Sequence, residues 1–440
     1  MKTPSPSGEG RGEGGVLRLR NTTFRKEHLD NGIRLVAERI PSVKSVSLGI
    51  WVCVGSRDEE AKDAGISHFT EHMFFKGTAH RSAHDIALEM DSLGGELNAF
   101  TTRETTTFYV KVLDEHISKG IEIISDLFLH SSMTRKDMEK EKQVVLEELK
   151  MVEDDPEDYI HDMHATLVWD GNPLARPIVG SAKTIQGLNR NSMLDFIGLH
   201  YHPANIVISV AGNFEFSNLL KLLNKSIGKL RRKVTENKRT KPALKNGIVV
   251  KNKSVEQVHL CLGTLGLPQN DKKRYALYAL NSILGSSMSS RLFQEVREKR
   301  GLVYSIYSYL SSFADSGVMN IYAGTSKESL PLVLELVLKE IKKIRRNGIS
   351  RKEMNRVKNQ MKGNLMLGLE STSNRMSRIA RDEIYSGRFY TTDDIIREIN
   401  RITPSQIQGL LNDLFKPEYL SLAILGPVKK DVVTEDILKI

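Results

Sequence analysis

A chain of 440 residues exceeds what one hydrophobic core usually covers, so two domains of about 200 residues are expected. Its hydrophobic and charged shares, 40% and 27%, exclude a fibrous, mainly disordered or membranous class. The formal charge of +10 invites a nucleic-acid partner, but Lys229 to Lys245 alone holds eight Lys/Arg against one Glu, with no aromatic residue for base stacking, and reads as a solvated linker; no nucleic acid is expected.

In chain order, residues 1–15 (MKTPSPSGEGRGEGG) are rich in Pro, Gly and Ser and carry no apolar core, which predicts a disordered tail and neither a signal nor a transit peptide. The longest strongly apolar run, around LGIWVCVG, is far too short to span a bilayer, so no membrane and a cytoplasmic location are expected. Cys53 and Cys261 sit in apolar runs and read as buried free thiols. SVSLGIWVCVG predicts a strand, TTTFYVKVL another, and HISKGIEIISDLFLHS has helical periodicity. Beyond the linker, VHLCLGTLGL and VMNIYAG predict strands and SLPLVLELVLKEIKKI a helix. Strands and helices without strict alternation predict an α+β fold of mostly antiparallel sheets packed with helices.

The chain also reads as written twice. Val52-Cys53-Val54-Gly55-Ser56 has a counterpart in Leu260-Cys261-Leu262-Gly263-Thr264, and the same displacement of 208 carries Gly77 onto Gly285. Thr134-Arg135-Lys136-Asp137-Met138 matches Ser350-Arg351-Lys352-Glu353-Met354 at 216, and Pro203 to Gly212 is spaced like Pro417 to Gly426. Two homologous domains follow, 16–228 and 247–440, joined by a basic linker at 229–246.

Within ISHFTEHMFFKGT, His68 and His72 are four residues apart, so on a helix both imidazoles share a face, with Glu71 beside them. In the second copy the same positions are Ala276, Ala279 and Leu280, so the scaffold does not require these polar groups. A catalytic zinc site needs a third protein ligand and an open position. In MEKEKQVVLEELKMVEDD, Glu141 and Glu148 are seven residues apart on one helical face, and Glu147 points about 100° away. Glu148 is taken as the ligand, with Glu141 behind it. Glu71 would then accept a proton from water activated at the metal and return it to a leaving amine, which is peptide hydrolysis.

The H-x-x-E-H order, with Glu148 76 residues after His72, resembles the pitrilysin-type inverzincin metallopeptidases, most closely their short bacterial members and the catalytic subunit of the mitochondrial processing peptidase. The resemblance runs from about residue 25 to 430. It implies one Zn2+ per chain on His68, His72 and Glu148, Glu71 as base, and Glu141 as a carboxylate important to activity. Asn98 and Ala99, in GGELNAFTTRETTTFYV, match an edge strand that takes the substrate backbone. By themselves Arg297 and Tyr304 read as a surface arginine and a core tyrosine; in SRLFQEVREKRGLVYS they match a pair supplied to the active site. The family architecture implies a clamshell of two domains, paired here as a homodimer, that admits unfolded peptides or precursor segments. Thr70 stands where many relatives have Leu, and LGSSMSSRLF has serines where relatives carry more glycines. The alternative is a non-catalytic partner subunit, against which the intact residue set argues.

Overall fold

The computed structural model of the chain describes residues 16–18, 22–235 and 238–438, so the tail expected over 1–15 lies outside the described residues. Runs of β-branched and aromatic residues form the strands. In the first half these are β1 (Val16–Arg18), β2 (Thr23–His28), β3 (Arg34–Arg39), β4 (Ser45–Val52), β5 (Glu96–Thr101), β6 (Thr106–Leu113) and β7 (Ile206–Gly212). The second half holds β8 (Gly247–Asn252), β9 (Val258–Leu265), β10 (Val303–Ser312), β11 (Gly317–Thr325) and β12 (Ser421–Gly426). Helices α1 (Ile66–Phe74), α2 (Ala83–Ser92), α3 (Ile117–His130), α4 (Arg135–Asp154), α5 (Pro156–Val168), α6 (Ala182–Gly187), α7 (Arg190–His200) and α8 (Phe216–Lys225) belong to the first half. The second carries α9 (Arg274–Leu284), α10 (Leu330–Asn347), α11 (Arg351–Gly368), α12 (Thr372–Ser386), α13 (Thr392–Arg401) and α14 (Pro404–Leu414). Among the described residues no helix is long and apolar enough to cross a membrane.

The strands make two sheets, β1-β2-β3-β7-β4-β6-β5 and β8-β12-β9-β11-β10. All neighbours are antiparallel except β3 with β7 and β8 with β12. From β3 onward the two orders are the same arrangement, so the duplication is a property of the fold and β1 and β2 are an addition to the first half. Thr134 and Ser350 each cap their helix by accepting the N–H three residues on, at Asp137 and Glu353, as the displacement of 216 requires. The match at 208 over VCVGS and LCLGT is corrected: Cys53 and Gly55 lie beyond the end of β4, whereas Cys261 and Gly263 lie inside β9. Residues 53–65 between β4 and α1 outnumber residues 266–273 between β9 and α9, and this longer loop shifts the register between strand and helix.

One core gathers side chains from Leu29 to Leu230 and another from Val258 to Leu438, each between a sheet and its own helices. The opposite faces are covered by exchange. Met376, Ile379 and Ala380 of α12 pack on Val36, Trp51, Val207 and Ala211 of the first sheet. Reciprocally, Ile160 of α5 packs on Cys261, Tyr322, Ala423 and Leu425 of the second. There Gly263 admits the buried His164, because a Cβ at that position would stand 2.3 Å from the imidazole, which bonds Ser421 Oγ at 2.9 Å.

The basic linker is only partly solvated, contrary to the expectation from its composition. Arg239 reaches back to both Asp58 oxygens at 2.7 Å and donates to the Cys53 and Glu104 carbonyls. Arg232 donates to the carbonyls of Ile197 and Tyr201. Beneath Arg239, Glu104 accepts from Arg57 at 2.7 Å and from the Ala314 N–H at 2.9 Å, and Arg57 makes a two-pronged bond to Asp315 at 2.9 and 2.6 Å. The side chains of Arg57 and Glu104 are 1% and 2% exposed, so this ion cluster joins the loops of both halves out of water.

Candidate metal centre

The first helix starts abruptly because the longer loop prepares it. Gly65, at φ 94°, turns the chain into α1 with its Cα against Val179 O, where a Cβ would come within 2.4 Å. Glu59 then accepts the Gly65 and Ser67 N–H groups, both at 2.8 Å, which satisfies two of the donors at the helix start. Burial pushes the Glu59 carboxyl up to about 7, against these two bonds.

On α1, His68 and His72 stack edge to face with their Nε2 atoms 3.3 Å apart. The Glu148 carboxylate, from α4, stands 3.5 Å from each of these nitrogens. One ligand atom from each of the three residues lies within 4.8 Å of the others. A zinc ion with Zn–N of about 2.0–2.1 Å in tetrahedral coordination sets two imidazole nitrogens about 3.3 Å apart. The two imidazoles and one carboxylate therefore fit that ion in donor type and spacing, with one position left open.

Glu141, two turns earlier on the same face of α4, accepts His72 Nδ1 at 2.8 Å and Lys76 Nζ at 2.6 Å. That bond favours the His72 tautomer protonated at Nδ1, which leaves the Nε2 lone pair for a metal. Burial favours the neutral ring at His72, but the Glu141 bond and the charges of Glu148, Glu141 and Glu71 outweigh it and raise the pKa. Burial, with His72 adding to it, lowers His68 to about 4 and keeps it neutral and ready to ligate. The Glu141→Gln variant is expected to bind zinc about 10–100-fold more weakly, read by competition with a chromophoric chelator. Unchanged affinity would show that the carboxylate does not hold His72.

Glu71 does not join the three ligands. Its Oε2 accepts the Thr101 hydroxyl of β5 at 2.5 Å. Burial raises its pKa although Thr101 and His72 pull the other way, a setting suited to a base near neutral pH. Removing the hydroxyl favours the protonated carboxyl, so Thr101→Val should move the acidic limb of the pH profile of kcat/KM upward by about one unit. An unmoved limb would show that the Thr101 hydroxyl does not set the titration which that limb reports.

β5 is the edge of the first sheet and touches α1, and Asn98 and Ala99 lie on it three and two residues before Thr101. The Asn98 amide oxygen takes the Ala99 N–H at 2.8 Å. Arg297 lies in a π-helical turn, Phe293–Glu298, with its guanidinium 4.8 Å from the Phe293 ring and 5.6 Å from that of Tyr304. Tyr304, on the edge strand β10, is 78% exposed and no core tyrosine. This pair is formed in the second half, apart from the hydrogen-bonded set of α1, α4 and β5. Three contributors escaped the sequence reading. Lys76, four residues after His72, carries a weak helical signal, Thr101 an alternation signal on β5, and Glu59 none.

Two family models match the chain: "Insulinase (Peptidase family M16)" over residues 34–182 and "Peptidase M16 inactive domain" over 187–361. The uncharacterized zinc protease YmxG of Bacillus subtilis is 43% identical over 397 residues, 90% of this chain and 97% of the relative. An uncharacterized zinc protease of Streptomyces coelicolor is 37% identical over 430 residues, 95% and 92% of the two chains. A peptidase M16 inactive domain from Pseudomonas fluorescens superposes with a TM-score of 0.87 at 20% identity, covering 92% of this chain and 98% of the other. A protease from Helicobacter pylori gives 0.84 at 22%, covering 92% and 99%.

Proposed function

This chain belongs to peptidase family M16, and on that premise we propose that it is a zinc-dependent endopeptidase that hydrolyses unfolded peptides or precursor segments. The observation that carries this reading is the convergence of His68, His72 and Glu148, with Glu71 held beside them by Thr101. When bound, one zinc ion per chain supplies Lewis acidity, polarising a carbonyl and making water acidic.

Every other role falls to the chain. The free edge of β5 at Asn98 and Ala99 offers main-chain groups to an extended peptide, which lays its scissile bond along α1. Glu71 removes a proton from the attacking water and delivers it to the amine as the C–N bond breaks. Glu141 holds His72 in register throughout. Arg297 and Tyr304 act from the second half on the peptide, and two copies pair as a homodimer.

The test is hydrolysis of a quenched unfolded peptide by the protein loaded with one equivalent of zinc, after chelation, and after zinc is restored. Activity lost with the metal and regained with it is the expected result. A zinc-loaded protein that cleaves no unfolded peptide, alone or as a dimer, would overturn the reading.

A further inference from the structure

A second group of metal-ligating side chains lies outside the centre just described. His80, Asp126 and His130 each place a ligand atom within 4.8 Å of the other two. Asp126 and His130 are four residues apart on α3, and His80 comes from the loop between α1 and α2. His130 Nδ1 is 3.1 Å and His80 Nε2 3.8 Å from the same oxygen, Asp126 Oδ1.

The framework is rigid where a site needs it. The other Asp126 oxygen accepts the Thr78 hydroxyl and Arg81 Nη1, both at 2.7 Å, which turns Oδ1 toward the imidazoles. The His80 loop is tied to the end of α3 by Ala79 N–H to His130 O at 2.9 Å and Ser132 N–H to Gly77 O at 3.0 Å, and is braced within itself by His80 N–H to Thr78 Oγ1 at 3.0 Å. Arg81 does not cancel the charge of Asp126, because Glu89 and Glu122 share its guanidinium. Asp126 is buried, whereas the two imidazoles are 62% and 48% exposed and face an open cleft of about 770 Å³, leaving room for solvent to complete a coordination shell.

We propose that His80, Asp126 and His130 form a second divalent transition-metal site, which pins the loop after α1 to α3. Two imidazoles and one carboxylate select zinc, nickel or copper over magnesium or calcium. A metal there takes one ligand from the loop and two from α3, and so links the two at a place that no step of peptide hydrolysis uses. It therefore stabilises the chain whether or not the first centre is filled.

The probe is Zn2+ alone, by equilibrium dialysis of the full chain against a micromolar excess. The wild type should hold two equivalents and the His80→Ala/His130→Ala variant one. The His68→Ala/His72→Ala variant should hold one, and zinc should raise its thermal midpoint. His84→Ala, an exposed histidine on α2 nearby, should leave all of these counts unchanged. Since the two substituted imidazoles are exposed, the His80→Ala/His130→Ala variant should match the wild-type midpoint in chelator. A wild type that holds a single equivalent, or a second equivalent that survives His80→Ala/His130→Ala, would overturn the proposal. If His68→Ala/His72→Ala fails to fold, the comparison of wild type with His80→Ala/His130→Ala decides.

Discussion

The Glu71→Gln protein is expected to cleave a quenched unfolded peptide with kcat/KM lower by about 10²–10⁴-fold while binding zinc at the first centre as the wild type does. The reason lies in the separation of tasks. Glu71 bonds Thr101 on β5, whereas the ligand atoms belong to His68, His72 and Glu148, so the amide substitution removes the proton acceptor and no coordinating atom. Gln has nearly the volume of Glu and still accepts the Thr101 hydroxyl, which leaves the packing of α1 intact. A loss within tenfold, with zinc retained, would remove Glu71 from the reaction. Loss of the zinc held at the first centre would instead make it part of the ligand set.

Glu104→Ala should lower stability by about 3–5 kcal/mol, because the Arg57 guanidinium stays buried with one of its two carboxylates gone. For a chain of this size the thermal midpoint should fall by about 3–5 °C. The same substitution frees the Ala314 N–H and one contact of Arg239, so loops of the first half, the second half and the linker loosen together. A cycle with Arg57→Ala separates the pair from its surroundings: the double variant should be less destabilised than the sum of the two single ones. Additive losses, or a midpoint shift below one degree for Glu104→Ala, would show that the cluster joins the halves only geometrically.

What was legible in the sequence follows from how local each signal is. His68 with His72, and Glu141 with Glu148, obey helical spacing, which the helices α1 and α4 preserve whatever surrounds them. The order of strands in each half was not legible, because pairing depends on distant residues, and the position of β5 at an edge came only from the family resemblance. The false register at VCVGS and LCLGT has a physical cause. A strand repeats every two residues, so any even slip keeps apolar side chains inward and the match persists. Ser350 and Thr134 escaped this ambiguity because a cap marks one residue of a helix. The cluster of Arg57, Glu104, Arg239 and Asp315 draws on four separate segments of the chain, and composition made Arg239 look like one more solvated cation.

The exchange of α5 and α12 also sets a timetable for synthesis on the ribosome. When β7 emerges, the face formed by Val36, Trp51, Val207 and Ala211 is ready, but Met376, Ile379 and Ala380, which cover it, have yet to be translated. At about 5–20 residues per second this apolar face waits roughly ten to thirty seconds before its helix arrives. During that interval the nascent first half exposes an apolar face of the kind that aggregates or is bound by chaperones, and slow codons between β7 and α12 would lengthen its exposure.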